Sequence, residues 1–166
     1  MPGVSSPDGL DFVSAMPTNL YGPGDIYHPA NSHIIPALLR KAHEAKIAGA
    51  AELTVWGSGA PLREVLHVDD LADAVVRIAH GYSAEQHINV GSGEEVSIRE
   101  LAELVGAAVG FTGRLVFDAT KPDGTPRKLM DSSRLAALGR RPRIGLVEGL
   151  ERTYREFLAS GTVRVS

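Results

Sequence analysis

Short apolar runs alternate along this sequence with segments that carry their apolar residues on one helical face, and that alternation limits the available folds more than any other feature. The runs at residues 10–16, 53–56, 63–68, 87–90 and 115–117 are too short for stable helices and read as strands. Between them, Ile34, Ile35, Ala37, Leu38 and Ala42 fit one face of a helix ending near Gly49. Leu71, Ala74, Val75 and Ile78 line one side of a second helix, with Asp69 as its expected N-cap. Ser97 and Glu100 form a capping box ahead of Ile98, Leu101, Val105 and Ala108, the best-signed helix start in the chain. A short helix at 132–138 and an amphipathic one at 146–158 complete the order. Strands alternating with helices predict an α/β fold, in which ligands bind at the carboxyl ends of parallel strands.

A dinucleotide-binding fold opens with a strand, a glycine-rich turn and a helix, and no G-x-G-x-x-G opens this sequence. Gly91-Ser92-Gly93-Glu94-Glu95 follows a strand but has only two of the glycines, with acidic residues where a pyrophosphate would sit, so it reads as a turn. Residues 1–9, rich in Pro, Gly and Ser, read as irregular. The 166 residues suit one domain of ordinary size. With no cysteine, neither a disulfide nor a thiolate metal site can form. A net charge of -3 gives no overall pull toward nucleic acid or an anionic membrane. No apolar run reaches the roughly 18 residues that a membrane span needs, and the start lacks a signal pattern. The expectation is a cytoplasmic protein with no nucleic-acid, membrane or metal partner.

Several residues could carry chemistry. The segment 17–23, Pro-Thr-Asn-Leu-Tyr-Gly-Pro, directly follows a strand, where an open α/β sheet holds ligands, although a structural loop fits as well. His33 stands at a helix start, as a cap or as an acid/base group. His28, five residues earlier, has no cysteine or carboxylate pair near it to make a zinc site. In Arg63-Glu64-Val65-Leu66-His67-Val68-Asp69-Asp70, the aspartates and His67 suit a cap and internal salt bridges. Arg63, after a Gly-Ser-Gly-Ala-Pro turn, could turn its guanidinium to a cleft and grip phosphate through two parallel hydrogen bonds. The stretch 121–141 carries six basic and two acidic residues, either as a solvated loop or as a phosphate-facing one with Asp123 available to sugar hydroxyls. Trp56, the one tryptophan, is either core or a flat face for a sugar ring or base.

Together these strings resemble GDP-L-fucose synthases, members of the extended short-chain dehydrogenase family. The resemblance rests on Met16-Pro17-Thr18-Asn19-Leu20-Tyr21-Gly22-Pro23, on His28-Pro29-Ala30-Asn31-Ser32-His33, on Val55-Trp56-Gly57-Ser58-Gly59, on the Arg63 to Asp70 string, and on Lys121-Pro122-Asp123-Gly124-Thr125-Pro126-Arg127-Lys128. The Asn-Ser-His and Lys-Pro-Asp-Gly strings point to the fucose synthase branch. The resemblance implies 3,5-epimerisation of GDP-4-keto-6-deoxy-D-mannose followed by NADPH reduction at C4. It implies His33 as the epimerisation acid, next to the nicotinamide, and Pro17, Thr18, Asn19 and Leu20 along NADP. Lys41, Trp56, Arg63 and Asp123 are implied contacts of the GDP-sugar, and the full enzyme is implied to be a homodimer. Residues 1–166 then correspond to the C-terminal part of such an enzyme, late Rossmann strands plus a small α/β substrate-binding domain, without the N-terminal dinucleotide-binding half.

The family's base is a cysteine and its reduction uses a Ser, a Tyr and a Lys, all upstream of the region resembled; this sequence has no cysteine and no Tyr-x-x-x-Lys. Lys41 stands where the family usually has arginine, and Ile26 where it usually has asparagine. Two alternatives remain: another nucleotide-sugar epimerase or dehydratase of the same superfamily, and a non-catalytic nucleotide-sugar-binding remnant.

Overall fold

The computed structural model describes residues 12–84, 86–139 and 141–160. The irregular start expected at 1–9, and Leu10 and Asp11 of the first expected strand, lie outside the described residues. The elements run β1 (Ala15–Pro17), β2 (Asn19–Tyr21), α1 (Ile34–Ile47), β3 (Glu52–Trp56), β4 (Leu62–His67) and α2 (Val68–Gly81), followed by β5 (Ile88–Val90), β6 (Glu95–Ser97), α3 (Ile98–Val109), β7 (Arg114–Asp118), β8 (Arg127–Lys128), α4 (Ser133–Ala137) and α5 (Leu146–Ala159).

This is the α/β alternation expected. Three parallel pairings organise it: β1 with β5, β2 with β4, and β3 with β7. The antiparallel β6 and the parallel β8 also join β4. The main core gathers the apolar faces of α1, α3 and α5, with Leu39, Ala42, Leu101 and Leu150 excluded from solvent. A smaller core joins Leu66, Ala74, Ile78, Ile88, Val90 and Leu135, which ties α2 and α4 to β4 and β5.

Local signals succeeded where they were strong. Ser97 Oγ accepts from Glu100 N at 3.1 Å, and Glu100 Oε2 accepts from Ser97 N at 2.9 Å, which completes the capping box. Four expectations need correction. The first strand starts only at Ala15, and the loop expected to follow it is itself strand β2 after a single residue, because its backbone pairs with β4. The cap of α2 is His67, whose Nδ1 accepts from Asp69 N at 3.2 Å, and Asp69 sits in the first turn. Val75 is 44% exposed, unlike Ala74 and Ile78 on the buried side. The strands β6 and β8, three and two residues long, were not foreseen, since runs this short show no periodicity.

Candidate functional site

Parallel pairing of β2 with β4 puts Asn19 opposite Val65 and Tyr21 opposite His67, so the loop leaving β2 and the start of α2 share one end of the sheet. There Thr18, Asn19, Leu20, Gly22, Asp25 and His33 line an open cleft of about 400 Å³. Pro17 lies just outside it, at the end of β1 opposite Val90. Gly22, with φ of 142°, is required: a Cβ there would meet Val68 Cγ1 at 2.6 Å.

His33 occupies the N-cap position of α1 with extended backbone, yet its side chain makes no capping hydrogen bond. The imidazole is exposed at the cleft and free of the structural duty that its position suggested. Asp25 lines the same cleft and was missed in the sequence reading; its one signal was an acid directly after a Gly-Pro-Gly turn. Its Oδ1 accepts from Ile26 N at 3.0 Å, and its buried Oδ2 has no hydrogen-bond partner. Burial pushes the Asp25 carboxyl up, against the opposing pull of the Ile26 N–H and of His33.

Glu64 was also passed over, as one more ionisable group in a charged string. It is fully buried. Its Oε1 accepts from Gly93 N at 2.7 Å and its Oε2 from Met130 N at 3.0 Å. Its backbone carbonyl accepts from Thr18 Oγ1 at 3.1 Å and Asn19 Nδ2 at 2.9 Å. One residue of β4 thereby fixes the cleft loop, the 91–93 turn and the segment after β8. The turn needs Gly91, because a Cβ there would overlap Glu64 Oε1.

The adjoining Arg63 does not bond to the acidic residues that follow it. Its Nη1 donates to Leu62 O and Thr125 O, both at 2.7 Å, and so holds the 121–126 loop against β4. Asp123 pins the other side of that loop, its Oδ1 accepting from Ser58 N at 2.6 Å and its Oδ2 from Ser58 Oγ at 2.8 Å. Trp56 is 64% exposed, which rules out the core reading, and Lys41 Nζ lies 4.9 Å from its ring centroid. Lys41 and Trp56 therefore meet, while Arg63 and Asp123 meet through the 121–126 loop.

Part of the basic stretch is structural. Arg127 makes a two-pronged bond to Glu95, with both contacts at 2.7 Å, and Arg134 donates to His87 O. His28 Nδ1 accepts from Ala30 N and Asn31 N, closing a turn. A second cleft, of about 620 Å³, lies between the 91–96 turn and residues 141–146, lined also by Tyr21 and His67, but it holds none of His33, Lys41, Trp56, Arg63 or Asp123.

The pattern for the NAD dependent epimerase/dehydratase family matches residues 4–91, more than half of the sequence. The chain belongs to that family. Among its relatives, GDP-L-fucose synthase 1 of Arabidopsis thaliana is 63% identical over 150 residues, covering 90% of this chain and 46% of the relative. GDP-L-fucose synthase of Escherichia coli K12 is 55% identical over 159 residues, covering 90% and 50%. The solved structure of a GDP-L-fucose synthetase from Naegleria fowleri bound to NADP superposes with a TM-score of 0.87 at 30% identity, over 93% of this chain and 49% of that one. The chain spans about half the length of the curated relatives it matches.

Proposed function

We propose that this chain is the GDP-sugar-binding part of a GDP-L-fucose synthase-type enzyme. The observation that carries the reading is the convergence of Thr18, Asn19, Leu20 and an uncommitted His33 on one cleft at the end of parallel strands. High identity to GDP-L-fucose synthases across nine-tenths of the chain supports the same substrate class.

The cleft residues fit the nicotinamide end of NADP. Leu20 offers an apolar wall, and the amide nitrogen of Asn19 is fixed on Glu64 O, which leaves its amide oxygen to accept. About 400 Å³ is within the ordinary range for a site enclosing one ring and its sugar. When bound, NADPH supplies hydride to the C4 carbonyl. This chain's own part lies in binding and proton movement. Removing the protons at C3 and C5, each next to the C4 ketone, creates an enolate, and each carbon is reprotonated on the opposite face by an acid. An imidazole has the pKa range for that task near neutral pH, and His33 is the exposed imidazole at the cleft. Lys41, Trp56, Arg63 and Asp123 hold the GDP-sugar on the neighbouring surface. The base and the Ser-Tyr-Lys set come from chain outside this sequence, which contains no cysteine and no Tyr-x-x-x-Lys. That same fact favours a second reading, a nucleotide-sugar-binding module with no turnover of its own. We place the complete enzyme in the cytoplasm as a homodimer by its resemblance to the family; among the described residues, no helix is long and apolar enough to cross a membrane.

The test joins this chain to the preceding half of the E. coli relative and compares His33 with His33→Gln. General acid catalysis contributes about 100- to 10,000-fold, so deuterium exchange from solvent into C3 and C5 is expected to fall on that scale, while some hydride transfer to C4 persists. Exchange at both carbons near the unmodified level would remove His33 from the chemistry. A joined chain that folds and binds GDP but makes no GDP-L-fucose would favour the binding module.

A further inference from the structure

Two ammonium groups reach the same indole from separate parts of the chain. Lys41, on α1, holds its Nζ 4.9 Å from the Trp56 ring centroid, and Lys121 holds its Nζ 5.6 Å from it. Both lie inside the roughly 6 Å reach of a cation–π contact. The backbone delivers Lys121 there. Trp56 and Asp118 are register partners at the ends of β3 and β7, and Gly57 N donates to Asp118 O. Asp118 Oδ1 then accepts from Thr120 N at 3.0 Å and Thr120 Oγ1 at 2.5 Å, and Lys121 N donates to Asp118 O at 3.1 Å. This closed turn folds the chain back toward the tryptophan.

No carboxylate forms an ion pair with either ammonium among the described residues; Asp118, half-buried at the end of β7, is the acid that feels the charge of Lys121. Like charges on one exposed ring repel each other unless an anion lies between them. A lone lysine is a point charge and cannot reproduce the two-point grip of an arginine fork. Two lysines on independent arms can supply two positive charges, and a diphosphate offers two anionic phosphates to meet them.

Resting on the GDP-sugar reading above, we propose that Lys121 is a further substrate-binding residue, which with Lys41 clamps the diphosphate of the GDP-sugar across Trp56. The ligand class is a nucleoside diphosphate. The base is secondary to this contact, so guanosine should be indifferent to Lys121.

Trp56 is the only tryptophan, so the intrinsic fluorescence of the chain reports this site. Titration with GDP should change the emission, and equilibrium dialysis with labelled GDP gives affinities that do not depend on the indole's own response. Lys121→Ala is expected to weaken GDP about five- to tenfold, the low end for a charged hydrogen bond because the site is exposed, and to weaken pyrophosphate in parallel. With Lys41→Arg in place, whose fork grips alone, Lys121→Ala should cost about twofold or less. Arg152→Ala, remote on α5, is the control and should leave binding unchanged. Unchanged melting by circular dichroism shows that each variant folds. Equal GDP affinity for wild type and Lys121→Ala would overturn the clamp and leave the GDP-sugar reading standing, as would a loss of guanosine binding equal to the loss of GDP. No binding of GDP by the wild-type chain would overturn the GDP-sugar reading, and the clamp with it.

Discussion

His67 is the residue whose chemistry bears most on pH. Its ring is buried, packed edge-on to Tyr21 at 5.4 Å, with Nδ1 used as the α2 cap and Nε2 left without a partner. Burial lowers its pKa below 6.5, against the upward pull of Asp69 and Asp70. The folded chain therefore holds His67 neutral at pH values where the unfolded chain binds a proton. Stability from this group is full above the unfolded value near 6.5 and falls as the pH drops through it. His67→Asn keeps an oxygen able to cap α2 and removes the titration. Denaturation midpoints measured from pH 7.5 to 5 should fall less steeply in His67→Asn than in wild type. Identical slopes would show that other groups set the acid limb.

Among the elements, α3 has the most local determinants, and it gives the sharpest test of how the sequence specifies structure. Ser97 caps α3 with its side chain and also ends β6, where it lies opposite Leu62 of β4. Ser97→Ala removes one side-chain acceptor and leaves the strand pairing intact. The expected loss is about 0.5–2 kcal/mol by chemical denaturation, and a loss within error would mean that packing of Leu101 and Val105 holds the helix start unaided. Helices α1, α3 and α5 were legible because each repeats its apolar residues over three or more turns and the pattern is internal to the segment. The strands β6 and β8 were not, because they exist through pairing with β4, a partner about 30 and 65 residues away in sequence. The same division runs through the candidate site. The 17–23 segment stood out as a motif after a strand and His33 as a histidine at a helix start, and their roles came from resemblance. Glu64 and Lys121 stood only within charged strings that did not single them out, since one gains its place from Gly93 and Met130 and the other from a turn that returns to Trp56. The expected cap, Asp69, lies two residues past the observed one, His67, because an aspartate is the commoner N-cap and nothing local marks a buried histidine as the better acceptor.

The described chain as a whole leaves apolar surface uncovered where β1 and α2 meet. Among the described residues β1 pairs with β5 alone, which leaves its other edge with unpaired backbone groups. Phe12, just before β1, is 55% exposed and Met16, within it, 52%, while α2, which packs against β1, exposes Val76 at 58%. An open strand edge beside apolar side chains is a template for pairing with another chain, and burying each such side chain fully is worth about 1.5–3 kcal/mol. The chain on its own should therefore self-associate at micromolar concentration, through this face rather than through the cleft with His33. Light scattering after size exclusion should report a mass above 17.6 kDa that depends on loading. Met16→Lys combined with Val76→Lys places two charges on the face without touching the buried core, and should shift the chain toward the monomer while GDP binding at Trp56 is kept. If the double variant associates as strongly as wild type, the contact lies elsewhere, and the exposed edges of β3 and β7 become the surface to alter next. If association and GDP binding are lost together, the adhesive face and the ligand face are not separate surfaces.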